Sequence, residues 1–170
     1  MIRTARLVLR PAQPDDLDDL HAIFSNPRAM RYWDRPEHTD IAETQAFLNA
    51  FMTNDHDASE EYILEFRGRC VGKAGMWKKP EVGYILHPEL WGQGLTLEAM
   101  QAVVPRIFAR FADLPALTAE CDPRNIASIK LLEKLGFRQT GFAEKNFDYG
   151  GLEMCDTTYF ELDRADQDES

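Results

Sequence analysis

The chain has 170 residues, a size that one domain around a single core accommodates. Nineteen basic against twenty-nine acidic residues leave a formal charge of −10, which argues against nucleic acid or an anionic membrane as a partner and fits a cationic one. Cys70, Cys121 and Cys155 form no CxxC pair and signal neither a disulfide framework nor a zinc site, no apolar run reaches the ~18 residues of a membrane span, and "MIRTARLVLRP" has no secretory apolar region. The thiols are expected to be buried, the protein cytoplasmic, and its site free of metal.

"ARLVLRPA" predicts a first strand stopped at Pro11, and "PDDLDDLHAIFS" a helix with Leu17, Leu20, Ile23 and Phe24 on one face, capped by Asp15 or Asp16. The turn-rich "NPRAMRYWDRP" leads to a second helix, "DIAETQAFLNAFM", with Ile41, Thr44, Phe47, Leu48 and Phe51 inward. "EEYILEFRGRCVGKAGMW" reads as a hairpin about "RGR", and "KKPEVGYILHP" as the next strand. A helix with Met100, Val103, Val104, Ile107, Phe108 and Phe111 on its buried face follows, and Pro105 is expected to kink it. "ALTAEC" is a strand, "NIASIKLLEKLG" a short helix closed by Gly136, and "FRQTGFA" and "MCDTTYFEL" are the last strands. Residues 1–162 are expected to form a single domain of mixed α/β sheet, and the acidic tail 163–170, "DRADQDES", to be disordered.

Between the strand "VGYIL" and the long helix stands "WGQGLTLEAM", with Gly92 and Gly94 two apart. Glycines before a helix N-terminus can cradle a phosphate, because the first-turn N–H groups are unpaired and the helix dipole is positive there. A Walker loop is excluded, since no lysine stands in its place, and a GxGxxG dinucleotide fingerprint fails at Leu97. A plain tight turn from strand to helix needs no ligand and remains open at this point.

A second motif is more specific. With "DPRNIASIKLLEKLGF" beginning another helix about thirty residues on, the pair "GYILHPELWGQGLTLEAM" and "NIASIKLLEKLGF" resembles the RimJ/RimL-type branch of the GCN5-related N-acetyltransferases (GNAT). The order of elements is similar to that family from residue 5 to about 162. The resemblance implies about seven strands and four helices with a splayed central sheet, acetyl-CoA as acetyl donor, and a protein N-terminus or small-molecule amine as acceptor.

The resemblance also implies roles. The family's pyrophosphate loop has Arg or Gln, Gly three residues later and Gly or Ala two further, places held here by Trp91, Gly94 and Thr96. Trp91 is usual in this branch and Thr96 departs. The N–H groups of Trp91, Gly92, Gln93, Gly94, Leu95, Thr96 and Leu97 would face the pyrophosphate. In the family the preceding strand carries a bulge and splays from its neighbour, so Ile85 and Leu86 would offer the pantetheine edge. Asn125 matches the asparagine that holds pantetheine, although a plain N-cap role also suits it. Ser128 matches the branch's candidate acid for the departing thiolate. Many members carry a tyrosine seven residues after the asparagine, where this chain has Leu132.

Transfer needs a neutral amine, so a base must take a proton from an acceptor of pKa ~10. Glu81 is the leading candidate, with Asp148 and Glu144 as alternatives, while His87 reads as structural. Arg124 and Lys130 are the nearest cations for the 3′-phosphoadenosine, and Tyr32, Trp33 and Tyr149 suggest a pocket for a cation with an apolar neighbour. The function expected is direct acetyl transfer to a primary amine by a monomer or homodimer. The alternative is a catalytically silent CoA-binding module on the same fold.

Overall fold

The computed structural model describes residues 1–168, with side chains through Asp166. The N-terminal segment is two short strands, β1 (Ile2–Arg3) and β2 (Val8–Arg10), because a turn closed by Thr4 N–H to the Leu7 carbonyl (3.0 Å) divides it. Next come α1 (Leu17–Phe24), α2 (Pro27–Met30) and α3 (Ile41–Met52), then β3 (Glu60–Phe66), β4 (Arg69–Lys78) and β5 (Glu81–Leu86). The long α4 (Leu95–Arg110), β6 (Ala116–Cys121), α5 (Ile126–Lys134), β7 (Arg138–Tyr149), β8 (Glu153–Asp163) and α6 (Arg164–Asp168) complete the order.

The eight strands form one sheet in the order β1-β2-β3-β4-β5-β6-β8-β7. Alternation along the strands feeds a core on each face. Leu64, Ala74, Met76 and Leu117 pack with Met100, Val103, Val104 and Ile107 of α4, while Ile63 and Ile85 pack with Leu20, Ile23 and Phe24 of α1 and Leu48 of α3. Neighbours are antiparallel except β5 and β6, which run parallel and share one register pair, Glu81 with Thr118. Beyond it the two strands diverge. The splay implied by the family resemblance is therefore present, but the bulge lies on β4, where Met76 opposes Val82 and Lys78 opposes Glu81, leaving Trp77 as the extra residue.

Other expectations change in detail. Two helices exceed the four foreseen. Asn26 caps α2 by accepting from the Arg28 N–H (2.9 Å) within the segment expected as turns, and within the acidic tail Arg164–Asp168 forms the short α6. Its anchor is Arg164, whose guanidinium donates to the carbonyls of Leu114, Phe108 and Phe111 at 2.6–2.9 Å. Residues 169–170 of the expected tail lie outside the described residues. Asp16 makes no side-chain cap to α1; it pairs instead with the buried Arg10 (2.6 Å) and accepts from the Gln13 N–H. Ile41 is exposed, so the inward stripe of α3 starts at Thr44, which His21 and His38 both approach at 2.8 Å. The helix α4 continues through Pro105 to Arg110. Among the described residues no helix is long and apolar enough to cross a membrane.

Candidate functional site

Where β5 leaves β6, a cleft of about 1600 Å³ opens, lined by both strands, the glycine loop, α5, and residues from α2 and α3. Gly92 and Gly94 have φ of 75° and 74°, the left-handed region in which a side chain is strained. Nothing lies within 4 Å of where a Gly92 Cβ would sit, which leaves the loop open to a ligand. Gly94 is the N-cap of α4 without a side-chain cap, so the N–H groups of the first turn, Leu95, Thr96 and Leu97, have no intrahelical partner. Thr96 lies inside the helix, outside the residues of positive φ, and its Cβ is no obstacle.

The loop is clamped from behind. Arg6 donates through Nη1 to the Gln93 carbonyl (2.8 Å) and through Nε to Glu98 (2.6 Å), and Glu98 also accepts from the Thr4 hydroxyl (2.6 Å). Gln93 thus faces Arg6 with its carbonyl and does not line the cleft, unlike Gly92, Gly94, Leu95, Thr96 and Leu97. The Trp91 indole N–H donates to the Leu86 carbonyl (2.9 Å), closing the end of β5, and the Arg28 guanidinium stacks on its ring at 5.4 Å. Ile85 and Leu86 are buried and line the cleft.

Across the cleft, Asn125 caps α5: its Oδ1 accepts from the Ser128 N–H (3.2 Å). Only the oxygen is used. The Nδ2 group has no protein partner among the described residues, so cap and ligand contact are compatible. One turn on, the Ser128 hydroxyl lies 2.7 Å from the phenol of Tyr84, which crosses the open wedge from β5. Burial pushes the Tyr84 phenol far up, keeping it protonated, and also raises the neighbouring Cys121 thiol despite the Ser128 hydroxyl. Leu132 is 0 % exposed and packs in the core beneath α5, away from the cleft.

Of the three base candidates, Glu81 lines the cleft and the other two do not. Burial pushes its carboxyl up, the Glu120 carboxylate adds to this, and the Trp77 indole and Lys78 oppose it. Asp148 accepts the Gly151 N–H (2.7 Å) in the turn between β7 and β8, and Glu144 is exposed where the β7–β8 register breaks between Ala143 and Phe147. His87 is structural in its contacts, accepting from the Glu89 N–H at 3.3 Å.

The cations sort differently from the sequence expectation. Arg124 and Lys130 are both exposed and line the cleft, but Arg124 is committed to Asp122 (2.6 Å) and Glu153 (3.3 Å), which raise its already high pKa. Tyr149 is buried with its hydroxyl on the Met30 carbonyl (2.7 Å), and Tyr32 lies between Arg31 and Arg124. Sequence reasoning missed Tyr84 and Arg6. Strand alternation sets Tyr84 on the face opposite Glu81, a signal that was available; Arg6 acts across 87 residues and left none.

The chain is 26% identical over 170 residues to the uncharacterized N-acetyltransferase p20 of Bacillus licheniformis, covering 94% of this chain and 93% of that one. It is 28% identical over 159 residues to the spermidine N(1)-acetyltransferase of Escherichia coli (strain K12), covering 86% and 83%. Among solved structures, RimL, a ribosomal α-N-protein acetyltransferase in complex with coenzyme A, superposes with a TM-score of 0.82 at 20% identity, covering 96% and 97%. Residues 6–138 match the acetyltransferase (GNAT) domain, and the chain belongs to the GNAT family of acetyltransferases.

Proposed function

We propose that this acetyltransferase takes its acetyl group from acetyl-CoA and passes it directly to a primary amine, a small molecule or a protein N-terminus. The relatives support the donor and the kind of acceptor: RimL is described with coenzyme A, and the Escherichia coli relative is a spermidine acetyltransferase. The observation that carries the reading is the wedge itself, with unpaired helix N–H groups at one end and the Tyr84–Ser128 pair and Glu81 along its walls.

The residues suit the donor. Left-handed Gly92 and Gly94 bring the backbone close to a pyrophosphate, the first turn of α4 offers N–H donors, and Lys130 supplies charge in an otherwise acidic protein. The Asn125 Nδ2 group and the unpaired edge of β5 are complementary to the amides of a pantetheine arm. When bound, acetyl-CoA supplies an activated thioester, so the protein needs no nucleophile of its own. Glu81, whose raised pKa brings it nearer the working pH, accepts a proton from the amine. The Ser128 hydroxyl, held in place by the Tyr84 phenol, donates a hydrogen bond to the leaving sulfur, which Leu132 cannot do, and the departing thiolate takes its proton from solvent.

The test is release of free thiol from acetyl-CoA across a panel of amines, with the acetylated product identified by mass. Amine-dependent release supports the assignment. Tight CoA binding without transfer to any amine would leave the silent module as the better account.

A further inference from the structure

On the face of the sheet covered by α1 and α3, one row of side chains runs Ile63, Lys73, Ile85 across β3, β4 and β5, and the next row toward Glu81 is Glu61, Gly75, Gly83. The glycines leave a floor without side chains. Above it stand Phe47 and Phe51 of α3 and Trp33, which follows α2, all lining the same cleft as Glu81 and Gly83. This arm reaches the β5–β6 junction from the side opposite Tyr84 and Ser128. It is where an acceptor would lie if the transferase reading above holds.

The far end of the arm is already filled. The Lys73 ammonium sits 5.1 Å from the Phe51 ring, 5.3 Å from Phe47 and 5.9 Å from Trp33, an aromatic box of the kind that recognises alkylammonium groups. Its counter-ion is Glu61, and the two side chains are 6% and 5% exposed. The other Glu61 oxygen accepts from Asn54 (3.1 Å). Rings and carboxylate, the equipment for holding the second charge of a diamine, are thus occupied by a cation of the protein itself. A ligand ammonium entering the box would meet a like charge in a poorly solvated place.

We propose that Lys73 is a specificity-determining residue that stands in for a distal ammonium, so that the acceptor arm takes monoamines with an uncharged, apolar body and turns away di- and polyamines. Similarity to a spermidine acetyltransferase then does not extend to the acceptor. The proposal rests on the acetyltransferase reading for the identity of the arm, and its test reads binding separately from turnover.

Binding of n-butylamine and of 1,4-diaminobutane to the CoA-loaded protein is measured by calorimetry for wild type, Lys73→Ala, and Lys73→Ala combined with Glu61→Gln. Wild type should bind the diamine no more tightly than the monoamine. Lys73→Ala opens the box and leaves Glu61 without its cation, so diamine affinity should rise at least tenfold with little change for the monoamine. Adding Glu61→Gln should cancel the gain. A wild-type protein that prefers the diamine, or a folded Lys73→Ala protein that gains nothing, overturns the proposal; the wild-type comparison decides it even if the variant does not fold. Turnover with the same amines is scored apart: loss of transfer with every amine counts against the catalytic roles proposed above and leaves the binding outcome intact.

Discussion

The Tyr84 phenol and the Ser128 hydroxyl lie 2.7 Å apart across the wedge between β5 and α5, and they belong to segments 44 residues apart. Removing the phenol with Tyr84→Phe keeps the ring and its packing, so the cost in stability should be about 1 kcal/mol for the lost hydrogen bond. Turnover should fall ~10- to 100-fold with little change in KM for acetyl-CoA. Ser128→Ala should have a similar effect, and the double variant should be hardly worse than either single one, because the pair acts as a unit. Additive losses in steady-state kinetics would show that the two hydroxyls act separately.

Leu132→Tyr, which restores the residue common in the family, should not raise activity and should destabilise the fold. The side chain is 0 % exposed in the core, where extra volume costs roughly 1–3 kcal/mol. Thermal melting and a thiol-release assay together check this.

Gly94→Val places a β-branched residue at φ 74°. Binding of acetyl-CoA, seen as a rise in Tm for wild type, should be lost. A variant that binds as tightly as wild type would detach the loop from the phosphate role.

Asn125 can be divided between its two functions. Asn125→Ala should lose about 1 kcal/mol of stability through the cap and weaken acetyl-CoA binding as well. Asn125→Asp keeps an oxygen acceptor for the Ser128 N–H and should hold stability, yet it replaces the free Nδ2 donor and should raise KM for acetyl-CoA about tenfold. Equal KM values for Asn125→Asp and wild type would leave this residue as a cap alone.

Glu81→Gln should lower kcat by about 10²-fold if Glu81 is the base. The same variant carries a stability signature. Folding raises the Glu81 pKa above 4.5, so the proton is held more tightly in the native state, and the stabilising contribution present at low pH is lost as pH rises through the folded value. The glutamine variant avoids that loss and should melt higher than wild type at pH 7 but not at pH 4. A pH-independent difference in Tm would contradict the raised pKa.

The strands and long helices were legible because both cores write themselves as periodic apolar positions: Met100, Val103, Val104 and Ile107 are one helix face, and Tyr62 to Leu64 a strand buried on both sides. The loop and Asn125 were legible because backbone requirements restrict the residue type, glycine at positive φ and asparagine at a cap. What was missed depends on contacts between distant segments. Neither the Arg6 clamp on Gln93 nor the packing of Lys73 under α3 follows from spacing, and Arg124, promising by position, is drawn off by Glu153 on β8. The placement of α6 escaped notice because its anchor is one arginine reaching three carbonyls, which composition does not register.

The single rung between β5 and β6 decides where unpaired main chain lies in this sheet. A strand with unpaired N–H and C=O groups at the rim of a sheet invites another chain to pair with it. Here the interruption falls in the middle of eight strands, with β1 and β7 at the outer margins. The backbone that β5 frees opens onto the cleft lined by the glycine loop and α5, at a place where a slender, amide-bearing ligand would meet it. The fold thereby sets this internal stretch of unpaired main chain inside a cleft and not at the rim of the sheet.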